Sequence, residues 1–283
     1  MKKLLLSLAT AFAASSAIAG PAIDLPSGPI YLKFTGQEQI AINGATTFAG
    51  TKEINWGVFI ISTLEAGDIN TPNDQIDPNG DGPFFVNKLG AAHGQITGMF
   101  YGIEAGGASA ANAFPATKGY MDLYWRDLDK MTATSLTSTA AGIRCGYSCA
   151  VGFTQGDFLA RLYFDTGMDI GNKMNTIVGS QVPSSNGFSG QADSYASVDM
   201  TKQGAWSWDL NSNFFNTKEG QRDLRFKNSY NYNPKWSGAA GSNILGARVD
   251  DPGQAFAVPE PGALSLMGLA LVGMGAVLRR RRG

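Results

Sequence analysis

Six consecutive residues, Asp77-Pro78-Asn79-Gly80-Asp81-Gly82, place side-chain oxygens at alternate positions and a glycine at the sixth. A calcium loop of the D-x-[DN]-x-[DN]-G kind begins this way, because alternate side chains can converge on one cation while the glycine takes the sharp turn. The twelfth position is Lys88, where such a loop wants a bidentate glutamate, and neither flank has a helical pattern. Asp77, Asn79 and Asp81 are therefore candidate ligands of a partial calcium site that would borrow Asp74 or a more distant acid. Calcium is the one cofactor the sequence suggests. The alternative is a solvated turn built from the usual turn residues.

Cys145 and Cys149, the only cysteines, have three residues between them. In an oxidising compartment they would close a tight disulfide loop worth about 2 kcal/mol by the chain-entropy estimate. Thioredoxin-like redox chemistry wants two intervening residues. The single histidine, His93, supports neither a catalytic triad nor a histidine-based metal cluster, and no G-x-S-x-G accompanies it. Asp127 and Asp129 could serve glycoside hydrolysis only at a defined spatial separation, which spacing along the chain does not give. No catalytic residue is assigned, and the chain reads as a non-enzyme.

Aromatic residues are densest at Trp206, Trp208, Phe214, Phe215, Phe226, Tyr230, Tyr232 and Trp236. Trp206 and Trp208 would share one side of a strand, so core burial is the first reading. The alternative is a platform on which sugar rings stack, with Tyr230 and Tyr232 as the better exposed candidates because asparagine and serine surround them.

The two ends of the chain carry transport chemistry. Lys2 and Lys3 precede an apolar stretch over residues 4–14, and Ala17-Ile18-Ala19 is a small-x-small cleavage site before Gly20. This is the pattern of a secretory signal peptide, cleaved between Ala19 and Gly20. At the other end, Pro259-Glu260-Pro261 stands before an uncharged apolar run of 16 residues, 263–278, followed by Arg279, Arg280, Arg281 and Arg282. As a helix the run is about 24 Å long, slightly short of a hydrocarbon core of roughly 30 Å, which makes it a marginal transmembrane helix. The arginines hold their side in the cytoplasm, so the preceding chain lies outside it. Two prolines keep the backbone around Glu260 extended and accessible.

In order, spacing and terminal position, residues 258–283 resemble the PEP-CTERM sorting signal of Gram-negative bacteria. The signal peptide points to export by the Sec machinery, and the resemblance implies recognition of Pro259, Glu260 and Pro261 by an exosortase that removes the helix. It implies a precursor anchored in the inner membrane and facing the periplasm, then a protein of the cell surface or extracellular matrix. It further implies a structural or adhesive role among exopolysaccharide, biofilm or floc. A carbohydrate-binding module is the second possibility and a secreted hydrolase the third.

Between the ends lies the part that must fold. Without the terminal segments, 16 basic residues stand against 22 acids, a net charge of about −6 spread evenly, and no basic patch for nucleic acid is present. The organisation expected is a signal peptide over 1–19, a β-rich exported domain over 20–249, a linker over 250–257 and the sorting tail over 258–283. Period-two alternation is clear in residues 158–165 and 120–127, and further strands are expected over 30–35, 54–64, 95–104, 195–200, 205–210 and 223–232. Loops are expected over 67–82, 105–116 and 182–190. The class is all-β, as an antiparallel β-sandwich or jelly roll.

Overall fold

A computed structural model of the chain describes residues 24–42, 52–70, 75–86, 94–107, 113–129, 152–168, 171–184, 187–238 and 240–258. Among these residues twelve strands form: β1 (Gly28–Ala41), β2 (Glu53–Asn70), β3 (Gln75–Val86), β4 (Gly94–Ala105), β5 (Ala113–Asp127), β6 (Asp157–Phe164), β7 (Ile177–Ser184), β8 (Gly187–Val198), β9 (Phe215–Thr217), β10 (Gly220–Arg222), β11 (Leu224–Tyr232) and β12 (Ile244–Ala257). The described residues also form a one-turn helix, α1 (Ser207–Leu210), and a 3-10 turn over Pro234–Trp236. Strands β9 and β10 make a small sheet of their own.

The main ladder is antiparallel throughout and closes. In order, β1 pairs β2, then come β4, β5, β6, β8, β11 and β12, and β12 pairs β1 again. Each member of the ring neighbours the next along the chain, a meander whose last strand meets its first. Strands β6 and β7 share one position. β6 bridges residues 120–125 of β5 and 196–198 of β8, while β7 bridges residues 113–116 of β5 and 187–194 of β8. Strand β3 turns back on β2 outside the ring path. The all-β antiparallel class expected from sequence is what forms, with walls facing each other across a core as in a sandwich. Jelly-roll connectivity is not what the pairings give.

Alternation fixes which residues point inward. Along β1 they are Ile30, Leu32, Phe34, Glu38 and Ile40, with Gly36 in step, and the paired positions continue the pattern around the ring. Phe34, Phe59, Phe100, Phe164 and Phe226 meet across the interior, with ring centroids 5.5 Å apart for Phe34–Phe59, 6.5 Å for Phe59–Phe100, 6.3 Å for Phe34–Phe226 and 6.2 Å for Phe164–Phe226. Inward glycines make room for these rings. A Cβ on Gly98 would collide with Phe59, and one on Gly57 with Phe100. This aromatic waist separates two halves. On one side, Ile61, Leu64, Ile96, Leu123, Leu162 and Leu224 fill the interior, and Trp206 and Leu210 of the α1 segment join the same core.

Several expectations change here. Residues 205–210 contain α1 rather than a strand, so the helical period separates the two tryptophans: Trp206 is 2% exposed and Trp208 49%. Residues 250–257 are the second half of β12, not a linker, and Ala255 and Ala257 are fully buried. Much of the stretch 67–82 belongs to the β2–β3 hairpin, and most of 182–190 to the β7–β8 hairpin. The signal peptide and the transmembrane helix lie outside the described residues.

Candidate functional sites: an interior cavity and an outer tyrosine row

Beyond the aromatic waist, on the side away from α1, the ring encloses a cavity of about 400 Å³. Its lining comes from every wall: Ile40, Ile103, Met121, Ile177, Ala192 and Val249 supply apolar surface. Among them stands Glu38, 7% exposed. Strand alternation puts it there, since Glu38 falls in step with Phe34 and Ile40 on the inner face of β1. Burial pushes its carboxyl up to about 7, against the lowering effect of a hydrogen bond from Asn55, whose Nδ2 donates to Glu38 Oε2 at 3.0 Å.

Acceptors are in excess at this spot. Asn55 Oδ1 and Asn228 Oδ1 are buried and find no hydrogen-bond partner among the described residues. Tyr230 also lines the cavity; its hydroxyl donates to Ser180 O at 2.8 Å and is pushed up to about 12, first by burial and then by the charge of Glu38. No lysine or arginine is among the described lining residues. The arrangement can hold a molecule with an apolar body and a donor group, and it disfavours an anion.

A second feature lies on the outer wall. Tyr101 of β4 pairs Tyr120 of β5, which pairs Tyr163 of β6, giving a row across three strands. Tyr120 and Tyr163 are each 40% exposed, and the Tyr101 and Tyr120 rings stack at 5.8 Å. Arg161 sits 5.8 Å from both of these rings and grips Asp122 with two hydrogen bonds, 2.7 Å from Nε and 2.8 Å from the second nitrogen. The Asp122 carboxylate holds the Arg161 guanidinium charged and fixed.

The residues singled out from sequence are dispersed. Asp77 accepts from Asn70 and Gln75, which holds its carboxyl below the usual range, while Asn79 donates to Asp81 at 3.0 Å within the same hairpin. Their side chains satisfy local turns, and among the described residues no group of three or more His, Cys, Asp or Glu gathers for a metal. Asp127 accepts from the Asp129 backbone, which makes that pair part of a turn. Cys145, Cys149, His93, Asp74 and Lys88 lie outside the described residues, as do Ala17, Ala19, Gly20, Pro259, Glu260, Pro261 and the four terminal arginines. Of the aromatic cluster, Phe215, Phe226, Trp206 and Trp236 are buried. Tyr230 turns toward the cavity instead of outward, and Tyr232 packs on Phe188 with centroids 5.7 Å apart. Glu38 escaped the sequence reading because Gln37-Glu38-Gln39 looks like the end of a strand. Its place in step with Leu32, Phe34 and Ile40 was the available signal.

The last described residue, Val258, donates its backbone N–H to Asp209 O of α1 at 2.8 Å. The chain thus leaves the ring at the α1 end, opposite the cavity. From there residues 257–282 match the PEP-CTERM protein-sorting motif. The C-terminus carries that motif, and it supports in general terms an exported chain sorted to the surface by an exosortase. No curated protein matches the chain. Among solved structures, Ail, the attachment invasion locus protein of Yersinia pestis in complex with the heparin analogue sucrose octasulfate, aligns at 6% identity over 82% of this chain and 100% of that one. The TM-score is 0.15, too low for the likeness to bear on fold or ligand.

Proposed function

We propose that this chain is a non-catalytic matrix or surface protein, exported through the Sec machinery after cleavage at Ala17-Ile18-Ala19 before Gly20 and released from the inner membrane by an exosortase acting at Pro259, Glu260 and Pro261. Residues 263–278 serve as a temporary transmembrane helix, oriented by Arg279, Arg280, Arg281 and Arg282. Once sorted, the β-domain, which we read as an eight-position up-and-down barrel, has a structural or adhesive role against exopolysaccharide. The observation that carries this reading is the sorting motif over residues 257–282, which starts where β12 ends.

The outer tyrosine row favours carbohydrate contact as the molecular basis of that role. Exposed, flat rings on a rigid sheet offer apolar faces to sugars, and Arg161 between them supplies donors to hydroxyl and acidic groups. With the domain mildly acidic overall, neutral stacking and one arginine suit such a polymer better than a broad charged patch would.

Two measurements on one strain pair test the proposal. Mass spectrometry of the mature C-terminus is expected to show loss of the segment after the Pro-Glu-Pro motif in wild-type cells and an intact Gly283 in cells lacking the exosortase. A C-terminus at Gly283 in both would reduce the tail to a plain anchor. Retention of the exported protein on the strain's own exopolysaccharide is expected to fall at least tenfold in Tyr120→Ala/Tyr163→Ala, and unchanged retention would remove the tyrosine row from the adhesive surface.

A further inference from the structure

From the interior cavity we infer a second, independent property: the domain binds a small amphiphilic amine, with an apolar body inside the ring and its cationic nitrogen held by Glu38. This does not depend on how the tail is processed.

The chemistry follows from what is buried. Glu38 is the one acidic side chain among the described lining residues, and Asn55 Nδ2 holds one of its oxygens at 3.0 Å. The group that suits a carboxylate in an apolar wall is a donor of opposite charge, and an ammonium brings three donors and a positive charge. A hydroxyl brings one donor and no charge. A carboxylate brings neither, and would face Glu38 with no lysine or arginine among the described lining residues to offset it.

The remaining lining sets the body of the ligand. Phe100, Ile103, Met121, Ile177 and Ala192 are apolar, and the cavity of about 400 Å³ lies in the range of preformed small-molecule sites. An eight-position ring is the size at which the interior either fills with side chains or holds one small ligand. Here the two outcomes divide the molecule: the phenylalanine waist and the aliphatic layer fill the α1 half, and the other half is left hollow.

Calorimetry on the full-length chain in phospholipid nanodiscs, with empty nanodiscs titrated in parallel, tests this with three probes that share one body: 4-phenylbutylamine, 4-phenylbutanol and 4-phenylbutanoate. At pH 8 the amine is expected to bind at least tenfold tighter than the alcohol, with the carboxylate weakest. Its affinity should fall as pH drops from 8 to 5, while that of the alcohol stays level. Glu38→Gln should shrink the preference for the amine to within twofold, and Ala192→Phe, whose ring would enter the cavity, should weaken amine and alcohol alike. Equal affinity for all three probes in the unaltered chain would leave a merely apolar hole and overturn the assignment. Absence of binding heat for every probe would also overturn it, leaving a cavity that holds only water.

Discussion

Glu38 gives the clearest consequence at the scale of single residues. Its carboxyl is raised from 4.5 to about 7, chiefly because burial in an apolar wall penalises the charge. Below about pH 4.5 the group is protonated in both the folded and unfolded chain, so it imposes no penalty. Between there and pH 7 the unfolded chain releases the proton while the folded one keeps it. Stability therefore falls as pH rises through this window and levels off above it, by roughly 3 kcal/mol in total. Tyr230 is the titratable group that feels the same charge, and it stays protonated throughout the window. Buried Asp165 and Asp223 are also raised, so they add a slope of the same sign to any variant. Urea unfolding of the chain and of Glu38→Gln, each from pH 4 to pH 8, separates these contributions. The difference between the two proteins is expected to change by about 3 kcal/mol over the range, with the glutamine variant the more stable at pH 8; parallel profiles would mean that Glu38 ionises freely.

At the scale of elements, closure depends on how the inner faces of the paired strands β1 and β12 fit side by side. Gly253 on β12 stands opposite Leu32 on β1 and Phe226 on β11, and a Cβ there would meet the ends of both side chains. Gly253→Ala is expected to cost about 1–3 kcal/mol through overpacking, and Leu32→Ala about 2–5 kcal/mol through the cavity it leaves. Because the removed leucine frees the space the added methyl needs, the double variant should cost less than the sum by about 0.5 kcal/mol or more. Strict additivity in denaturant melts would separate the two positions. This pairing was hard to read in the sequence. Asp250-Asp251-Pro252-Gly253 has the composition of a turn, yet it lies within β12. Pro252 is accommodated because the β11 pairing breaks between Phe226 and Ser229, where its missing N–H is not needed. Strand β3 was hidden in the same way by Asp77-Pro78-Asn79-Gly80-Asp81-Gly82. Strands with a plain two-residue period, such as β5 and β6, were legible because one face is apolar throughout. The cavity was not, because the inward set of Glu38, Asn55 and Asn228 comes from three strands that only the ring closure brings together.

At the scale of the whole molecule, the position of β12 links folding to sorting. The tail begins where β12 ends, beside α1, while the cavity opens the opposite half of the ring. Residues 250–257 do not act as a spacer in this arrangement. They pair with β1 on one side and β11 on the other, and Gln254 reaches across to accept from the Ile76 backbone of β3 at 3.0 Å. Cutting the chain on either side of this segment distinguishes a strand from a linker. A chain ending at Val258 loses only the sorting tail, and its thermal midpoint by circular dichroism is expected to stay within a few degrees of that of the full chain. A chain ending at Val249 exposes unpaired edges on β1 and β11 and uncovers the buried interior at Ala255 and Ala257, so cooperative melting should be lost. Similar melting of the two shortened chains would return residues 250–257 to the role of a linker and leave the ring closed by something other than β12.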